Sequence, residues 1–399
     1  LYDTFGFPVD LTNDIARERD LELDVEGYEA AMLAQRKRSQ ESGAFQVDYH
    51  NIITAEGETE FLGYTAAEAA ATIRGLFVDG RLIERVSEGD DVVVILDQTP
   101  FYGESGGQVG DTGYLRTDSA KLEVRDTTKA QGHHLHHAVV VQGSIEVGAS
   151  VSATIDESLR ARIKANHSAT HLMHEALRRV LGEHVQQKGS LVDADKLRFD
   201  FSHTQSLSAD ELSRVTQLVN EQIRHNSEVL TQEMEMDAAI EAGATALFGE
   251  KYGDAVRVLT MGSERFSVEL CGGTHVARTG DIGVFRILNE SGVAAGVRRI
   301  EAVTGIGALS DIAKVDKVVA DICDVVKSSP ENAADKVTSL RVEVRELEKQ
   351  ITQLKQKLAT GAGADLTSEA VDVMGFKVLG TVVEGADAST LRQTLDHCK

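Results

Sequence analysis

Hydrophobic and polar positions change their spacing several times along the 399-residue chain, and each change predicts a different kind of element. The first 45 residues are rich in helix formers, and 14–19 and 27–38 contain few breakers and read as helices. From about residue 58 short β-rich runs take over, at 76–78, 91–96, 113–115, 121–125 and 138–141. Gly, Asp and Asn punctuate them, which predicts a small antiparallel barrel or sandwich over about 58–153. A long helix is expected at about 158–182, where Ile163, Leu172, Ala176, Leu177 and Val180 fall near helical spacing. Strands follow at 190–191 and 198–201. A second helix is expected at 208–225, with Ser208 as cap and Glu211 three residues on as a capping box. Strands at 256–260, 267–270, 284–289 and 297–302 complete an α+β domain over about 154–308.

Further on, Val337, Leu340, Val344, Leu347, Ile351, Leu354 and Leu358 alternate spacings of three and four. This is a heptad pattern with charges between its apolar positions. It fits either a two-stranded coiled coil or a helical hairpin packed on 311–327, giving a helical connector over 309–360. Residues 360–365, rich in Gly and Ala, then read as a flexible link, and 371–383 as strands opening a further α/β domain over 361–399. The fold class predicted is therefore α+β and multidomain: a helical segment over 1–57, the barrel, the α+β domain, the connector and the start of a last domain.

Composition narrows this picture only modestly. Hydrophobic residues make up 42% and charged residues 26%, as in soluble globular proteins. No apolar run approaches the roughly 20 residues that span a bilayer. No secretory signal is visible, and the chain begins at Leu1 without Met, so it reads as a fragment. Three distant cysteines imply no disulfide framework and suit a reducing, cytoplasmic setting. The net charge of −23 argues against broad nucleic-acid binding, although it is uneven: residues 1–60 hold 5 Lys/Arg against 14 Asp/Glu, and 156–188 hold 6 against 4. The run Arg36-Lys37-Arg38 reads as a solvated helix face.

The sharpest chemistry is His167-Ser-Ala-Thr-His171. On a helix, two imidazoles four apart share one face and can grip one metal ion. A zinc protease would carry Glu after the first His as its base; here that position is Ser168. His174 shares the face and could compete as a ligand. The complement is Cys271-Gly-Gly-Thr-His275, a thiolate and an imidazole separated by two glycines that allow a tight turn. Together they form a His₃Cys set suited to tetrahedral Zn²⁺. Four protein ligands usually mark a closed structural site, whereas activating a water needs an open position, and the spacing alone leaves both open.

Other segments carry less. Residues 101–111 hold several glycines in a loop whose backbone could approach a phosphate or ribose, although no Walker lysine follows. Gln186, Gln187, Lys188, Gly189 and Ser190 could line the same cleft as the metal. His133-His134-Leu135-His136-His137 would alternate between two strand faces and reads as a solvated strand rather than a second metal site.

His-Ser-Ala-Thr-His and Cys-Gly-Gly-Thr-His resemble the paired signatures of the editing domain of alanyl-tRNA synthetases. Residues 101–111, 185–192, 197–201, 246–258 and 296–305 are also similar to that family, as is the opening 1–12, which separates the full synthetase from free-standing editing proteins. The resemblance covers nearly the whole chain. It implies zinc on His167, His171, Cys271 and His275. It further implies hydrolysis of the ester joining serine or glycine to tRNA(Ala), with Thr170 near the amino-acid side chain and Gln187 near the reacting end. By the same analogy Gly106, Gly107 and Gln108 hold the tRNA 3′ end. The ATP-dependent aminoacylation half is not found in these residues, and 310–399 resemble connector helices and a C-terminal region that helps bind tRNA and dimerise the parent enzyme.

Overall fold

The computed structural model describes Gly27 and residues 57–245, 255–382 and 388–397. The helices expected at 14–19 and 27–38, and the run Arg36–Arg38, lie outside the described residues apart from Gly27. The described residues form two compact units, one ending at Ser310 and one beginning at Asp311.

The first unit opens with β1 (Glu68–Val78), β2 (Asp91–Leu96), β3 (Gly113–Arg116), β4 (Lys121–Ala130), β5 (His133–Gln142) and β6 (Ser150–Ile155). Their antiparallel pairings run β6, β3, β4, β5, β2, β1 and close again on β6, which makes a six-stranded barrel. Closure removes the free edges that short strands otherwise expose. Alternate residues such as Leu115, Leu122, Val124, Val140 and Val151 fill its interior.

The histidine-rich start of β5 departs from the solvated strand expected of it. His133, His134 and His136 are buried, because both faces of the strand are covered there. Leu135 packs with Phe77 and Ile95, and the His136 ring meets Phe101 edge-on. His136 lies 2.8 Å from Thr99 Oγ1 and 2.9 Å from the Val94 carbonyl, and burial lowers its pKa to about 4. It is a neutral core residue.

Next comes α1 (Glu157–Leu181), capped by the Asp156 carboxylate, which accepts from Ser158 and Leu159 N–H, and ended by Gly182. Then follow β7 (Gln187–Val192), β8 (Leu197–Ser202) and α2 (Ala209–His225), whose Ser208–Glu211 capping box forms as the sequence predicts. The short β9 (Leu230–Glu235), α3 (Met236–Glu241), β10 (Ala255–Met261) and β11 (Ser267–Leu270) precede β12 (Phe285–Ala294) and β13 (Val297–Thr304). Strands pair in the orders β7-β8-β13-β12 and β9-β10-β11. The apolar face of α1 packs on the first sheet, joining Leu172 and Leu177 to Phe199, Phe201 and Ile300 in one core.

Two contacts fasten the barrel to this layer. Arg160 of α1 is buried; its guanidinium pairs with Asp111 and donates to the carbonyls of Gly63 (2.7 Å) and Pro100 (3.0 Å). The barrel loop 105–109 zips onto the end of β7, with Val192 N–H donating to Gly107 O (2.7 Å) and Val109 N–H to Val192 O (3.1 Å).

The second unit continues α4 (Gly305–Val326) into α5 (Ala333–Leu366), a hairpin of β14 (Val371–Val373) and β15 (Phe376–Val378), and α6 (Ala388–His397), which packs on α5. The flexible link expected at 360–365 is instead the last turns of α5. Ala359, Ala362 and Ala364 are strong helix formers that offset Gly361 and Gly363. Val344, Leu347, Ile351 and Leu354 of the heptad stripe stay exposed, so these four are not covered by 311–327, the hairpin being one of the two arrangements the pattern fits. No helix among the described residues is long and apolar enough to cross a membrane.

Candidate metal centre

The two sequence signatures meet. One nitrogen from each of His167, His171 and His275 and the sulfur of Cys271 all lie within 4.8 Å of one another. Helical spacing places His167 and His171 one turn apart on α1, their rings stacked with centroids 5.2 Å apart. Cys271 follows the last residue of β11, and His275 returns from the loop beyond it. The Cys271 sulfur is 3.6 Å from His167 Nε2 and 3.3 Å from His275 Nε2. A tetrahedral ion with ordinary Zn–N and Zn–S lengths separates nitrogen from sulfur by about 3.6 Å, so this donor set fits one.

Outer contacts select which nitrogen each histidine turns inward. His167 Nδ1 lies 2.8 Å from Gln108 Oε1, His171 Nδ1 lies 2.6 Å from Glu269 Oε2, and His275 Nδ1 lies 3.2 Å from Ser168 Oγ. Carboxylate and amide oxygens can only accept, so Nδ1 of His167 and His171 is the donor to them, which leaves Nε2 as the nitrogen available to an ion once it is deprotonated. Inside the cluster, His171 Nε2 is buried with no hydrogen-bond partner, as expected of a nitrogen that faces an ion.

Glu269 and Gln108 were absent from the sequence expectation as metal-centre supports. Glu269 is a fully enclosed carboxylate on β11 that accepts from both His171 and His174 (3.0 Å). His174 therefore lies outside the ligand set, bound to Glu269 and packed on Phe199. Alternation along β11 was the available signal, since Glu269 stands two residues before Cys271. Gln108 was expected at the substrate. Its side chain is buried and occupied: Oε1 accepts from His167 and from Thr274 N–H (2.9 Å), and Nε2 donates to Thr274 Oγ1 (2.9 Å). Nothing in its spacing shows this, because the partners are 59 and 166 residues away.

The loop glycines also act differently from the tight turn expected of them. Neither Gly272 nor Gly273 has a positive φ. A Cβ on Gly273 would fall 2.2 Å from His167 Cε1, whereas one on Gly272 would meet nothing. Gly273 is thus the place where backbone and imidazole pass in contact.

Charge in the metal-free cluster is strongly coupled. Burial acts against the Cys271 thiolate, but the charges of His167, His171 and His275 outweigh it and hold the thiol well below its ordinary range. Burial also acts against a charged His171, yet Glu269 and Cys271 overcome it and raise this histidine to about 10. His275 is lowered by burial to about 3 despite Cys271. A buried thiolate among imidazoles, with the outer carboxylate already deprotonated, is a site prepared for a cation.

Of the remaining expected residues, Thr170 is buried and donates to Asn166 O (2.9 Å), so its oxygen remains only as an acceptor. Gln187 is half-buried at the start of β7, opposite Phe201, beside a register shift. Gly106 and Gly107 form the turn between Ser105 and Gln108, with φ of 58° and 82° that favour glycine.

Comparison with known proteins gives two family matches. The model described as tRNA synthetases class II (A) matches residues 1–159, and that for the threonyl and alanyl tRNA synthetase second additional domain matches 256–301. The alanine–tRNA ligase of Saccharophagus degradans is 54% identical over 399 residues, all of this chain and 46% of the relative. Those of Pseudomonas syringae pv. syringae and Pseudomonas entomophila are 52% and 50% identical over the same span. The chain spans about half the length of the curated relatives it matches.

Proposed function

Because this chain belongs to the alanyl-tRNA synthetase family, we propose that its metal centre serves an editing hydrolase that removes serine or glycine wrongly esterified to tRNA(Ala). The observation that carries this reading is the His₃Cys cluster with both helix-borne Nδ1 atoms held by outer acceptors. The ion assigned to it is Zn²⁺, on the borderline-soft donor set. When bound it supplies Lewis acidity and a fixed positive charge beside the substrate.

The chain's own residues bind and discriminate. Water attacks the ester carbonyl, the bond to the terminal ribose oxygen breaks, and that oxygen takes a proton while the amino acid leaves. Thr170 has spent its hydroxyl proton on Asn166, so it would accept from the hydroxyl of serine. Alanine offers no such donor, so this contact would separate serine from the correct product as a second sieve, whereas glycine, which also lacks a hydroxyl, would not be selected by it. Gln187 is assigned to the reacting end. The turn of Gly106, exposed, and Gly107, half-buried, would meet the tRNA 3′ end, without the Gln108 amide, which is already engaged. Attachment of alanine with ATP, work in the cytoplasm and dimerisation belong, on this reading, to the parent enzyme.

The test is release of serine from mischarged tRNA(Ala) by the wild type and by Cys271→Ala, before and after chelation. Wild-type release at least 100-fold faster, lost with the metal, is expected. Equal release by both proteins would defeat the reading. Four protein ligands also favour a second one, a structural ion in a fragment that binds tRNA without deacylating it. That reading predicts binding of the charged tRNA with no serine released.

A further inference from the structure

We propose that Tyr64 and Arg257 are positioning residues of the metal centre, a clamp that fixes the loop delivering Cys271 and His275. The inference rests on the metal-site reading above and not on the identity of the substrate.

The loop between the two ligands has little of its own to hold it. Gly272 is exposed and has no atom near its Cβ position, and glycine carries the largest conformational freedom of any residue. Yet three successive carbonyls are captured from outside. Arg257 Nη1 donates to Cys271 O (3.2 Å) and Gly273 O (2.6 Å), and Tyr64 Oη donates to Gly272 O between them (2.7 Å). The backbone joins in, since Cys271 N–H donates to Arg257 O (3.0 Å). The two side chains support each other, with the guanidinium carbon 4.0 Å from the centroid of the Tyr64 ring.

The anchors come from different layers. Arg257 stands on β10, while Tyr64 belongs to the barrel side. Tyr64 follows Gly63, whose carbonyl is held by Arg160 of α1, seven residues before His167. A Cβ on Gly63 would fall 2.1 Å from Pro100 O, so this turn is tightly seated. The helix and the loop are thus referred to one frame, Arg160 fastening the first to the Gly63 turn and Tyr64 fastening the second to it. A ligand loop shifted by a fraction of an ångström loses tetrahedral geometry, and partners of this outer kind are worth about 10–100-fold in metal affinity.

The experiment compares the full chain with Tyr64→Phe, which deletes one hydroxyl and keeps the ring, and with Arg257→Lys. Arg179→Lys is the control. Arg179 also stacks on an aromatic ring and donates to a carbonyl, both at Phe266, away from the ligand loop. Zn²⁺ affinity is read by chelator competition. The Cys271 ligation band is read in the Co²⁺-substituted protein, and the melting temperature in the metal-free one. The clamp predicts affinity about tenfold or more weaker in both variants, a shifted Co²⁺ band, and a metal-free melting temperature and control like wild type. Affinities within twofold of wild type overturn it. So does a loss that merely follows a lower metal-free melting temperature, because the pair would then support the fold alone. If the wild type binds metal and hydrolyses no ester while the variants bind more weakly, the clamp stands and the hydrolytic reading falls.

Discussion

The two halves of the metal centre are held by opposite means. His167 and His171 ride on a 25-residue helix, where backbone hydrogen bonds fix their separation before any tertiary contact forms. Cys271 and His275 ride on a loop after a four-residue strand, and side chains from the barrel and β10 supply what the backbone lacks. The helical half needs partners only to choose a tautomer and a ring angle. The loop half needs them to have a shape at all. Local periodicity can therefore specify half a site, and long-range contacts must complete it.

The largest effect should come from the partner that the helical half does need. Glu269 accepts from both His171 and His174 in a fully buried position. In Glu269→Gln one oxygen becomes an NH₂ facing a ring N–H, and the negative charge that holds these rings is lost. Metal affinity should fall about 10–100-fold, measured by chelator competition. A loss below threefold would mean that helical geometry alone fixes His171, which would sharpen the contrast.

The halves should also differ in where protons sit. Without metal, His171 is raised to about 10 while His275 is lowered to about 3 and Cys271 is well below its ordinary range. At pH 7 the metal-free His171 holds its extra proton, whereas His275 is neutral. Metal uptake should therefore release about one proton, and affinity should rise about tenfold per pH unit from 7 to 9. Calorimetry in buffers of different ionisation enthalpy measures that release. Metal-free stability should follow the same division. The raised His171 contributes stability that is complete below its unfolded value of 6.5 and is lost as pH rises through about 10. His275, lowered, costs stability as pH falls from 6.5 toward 3. Uptake without proton release would erase the distinction between the halves.

What the sequence discloses follows this division. His167 and His171 announce themselves because four residues make one helical turn, and Cys271 and His275 because two glycines separate so unusual a pair. The Ser208–Glu211 box is equally local, and it forms. The barrel is legible as spaced β-rich runs, but its closure through β1 and β6 joins strands some 80 residues apart and has no local sign. Gln108, Glu269, Tyr64 and Arg257 escape for the same reason: their partners are chosen by the fold. The histidines of β5 mislead because alternation predicts two faces and cannot say that both are covered. The link at 360–365 misleads because glycine content outweighs, in a reading by composition, the alanines that continue α5.

The smallest effect should come from Ser168, a side chain outside the ligand set that joins the halves directly. Ser168 belongs to α1, yet its hydroxyl lies 3.2 Å from His275 Nδ1 and accepts from Val276 N–H at 3.2 Å. It stands where a zinc protease would carry its glutamate base, and these contacts make it a strut between helix and loop. In Ser168→Ala the buried Val276 N–H loses its acceptor, which should cost about 1 kcal/mol of stability. His275 would lose its Nδ1 partner but keep a loop still clamped at three carbonyls. Metal affinity should therefore fall only about threefold, below the usual range for such partners, and the proton released on binding should be unchanged. A loss as large as that of Glu269→Gln would show that the loop leans on the helix as much as on its own anchors. The two halves would then be one interlocked structure, and the separation drawn between them would fail.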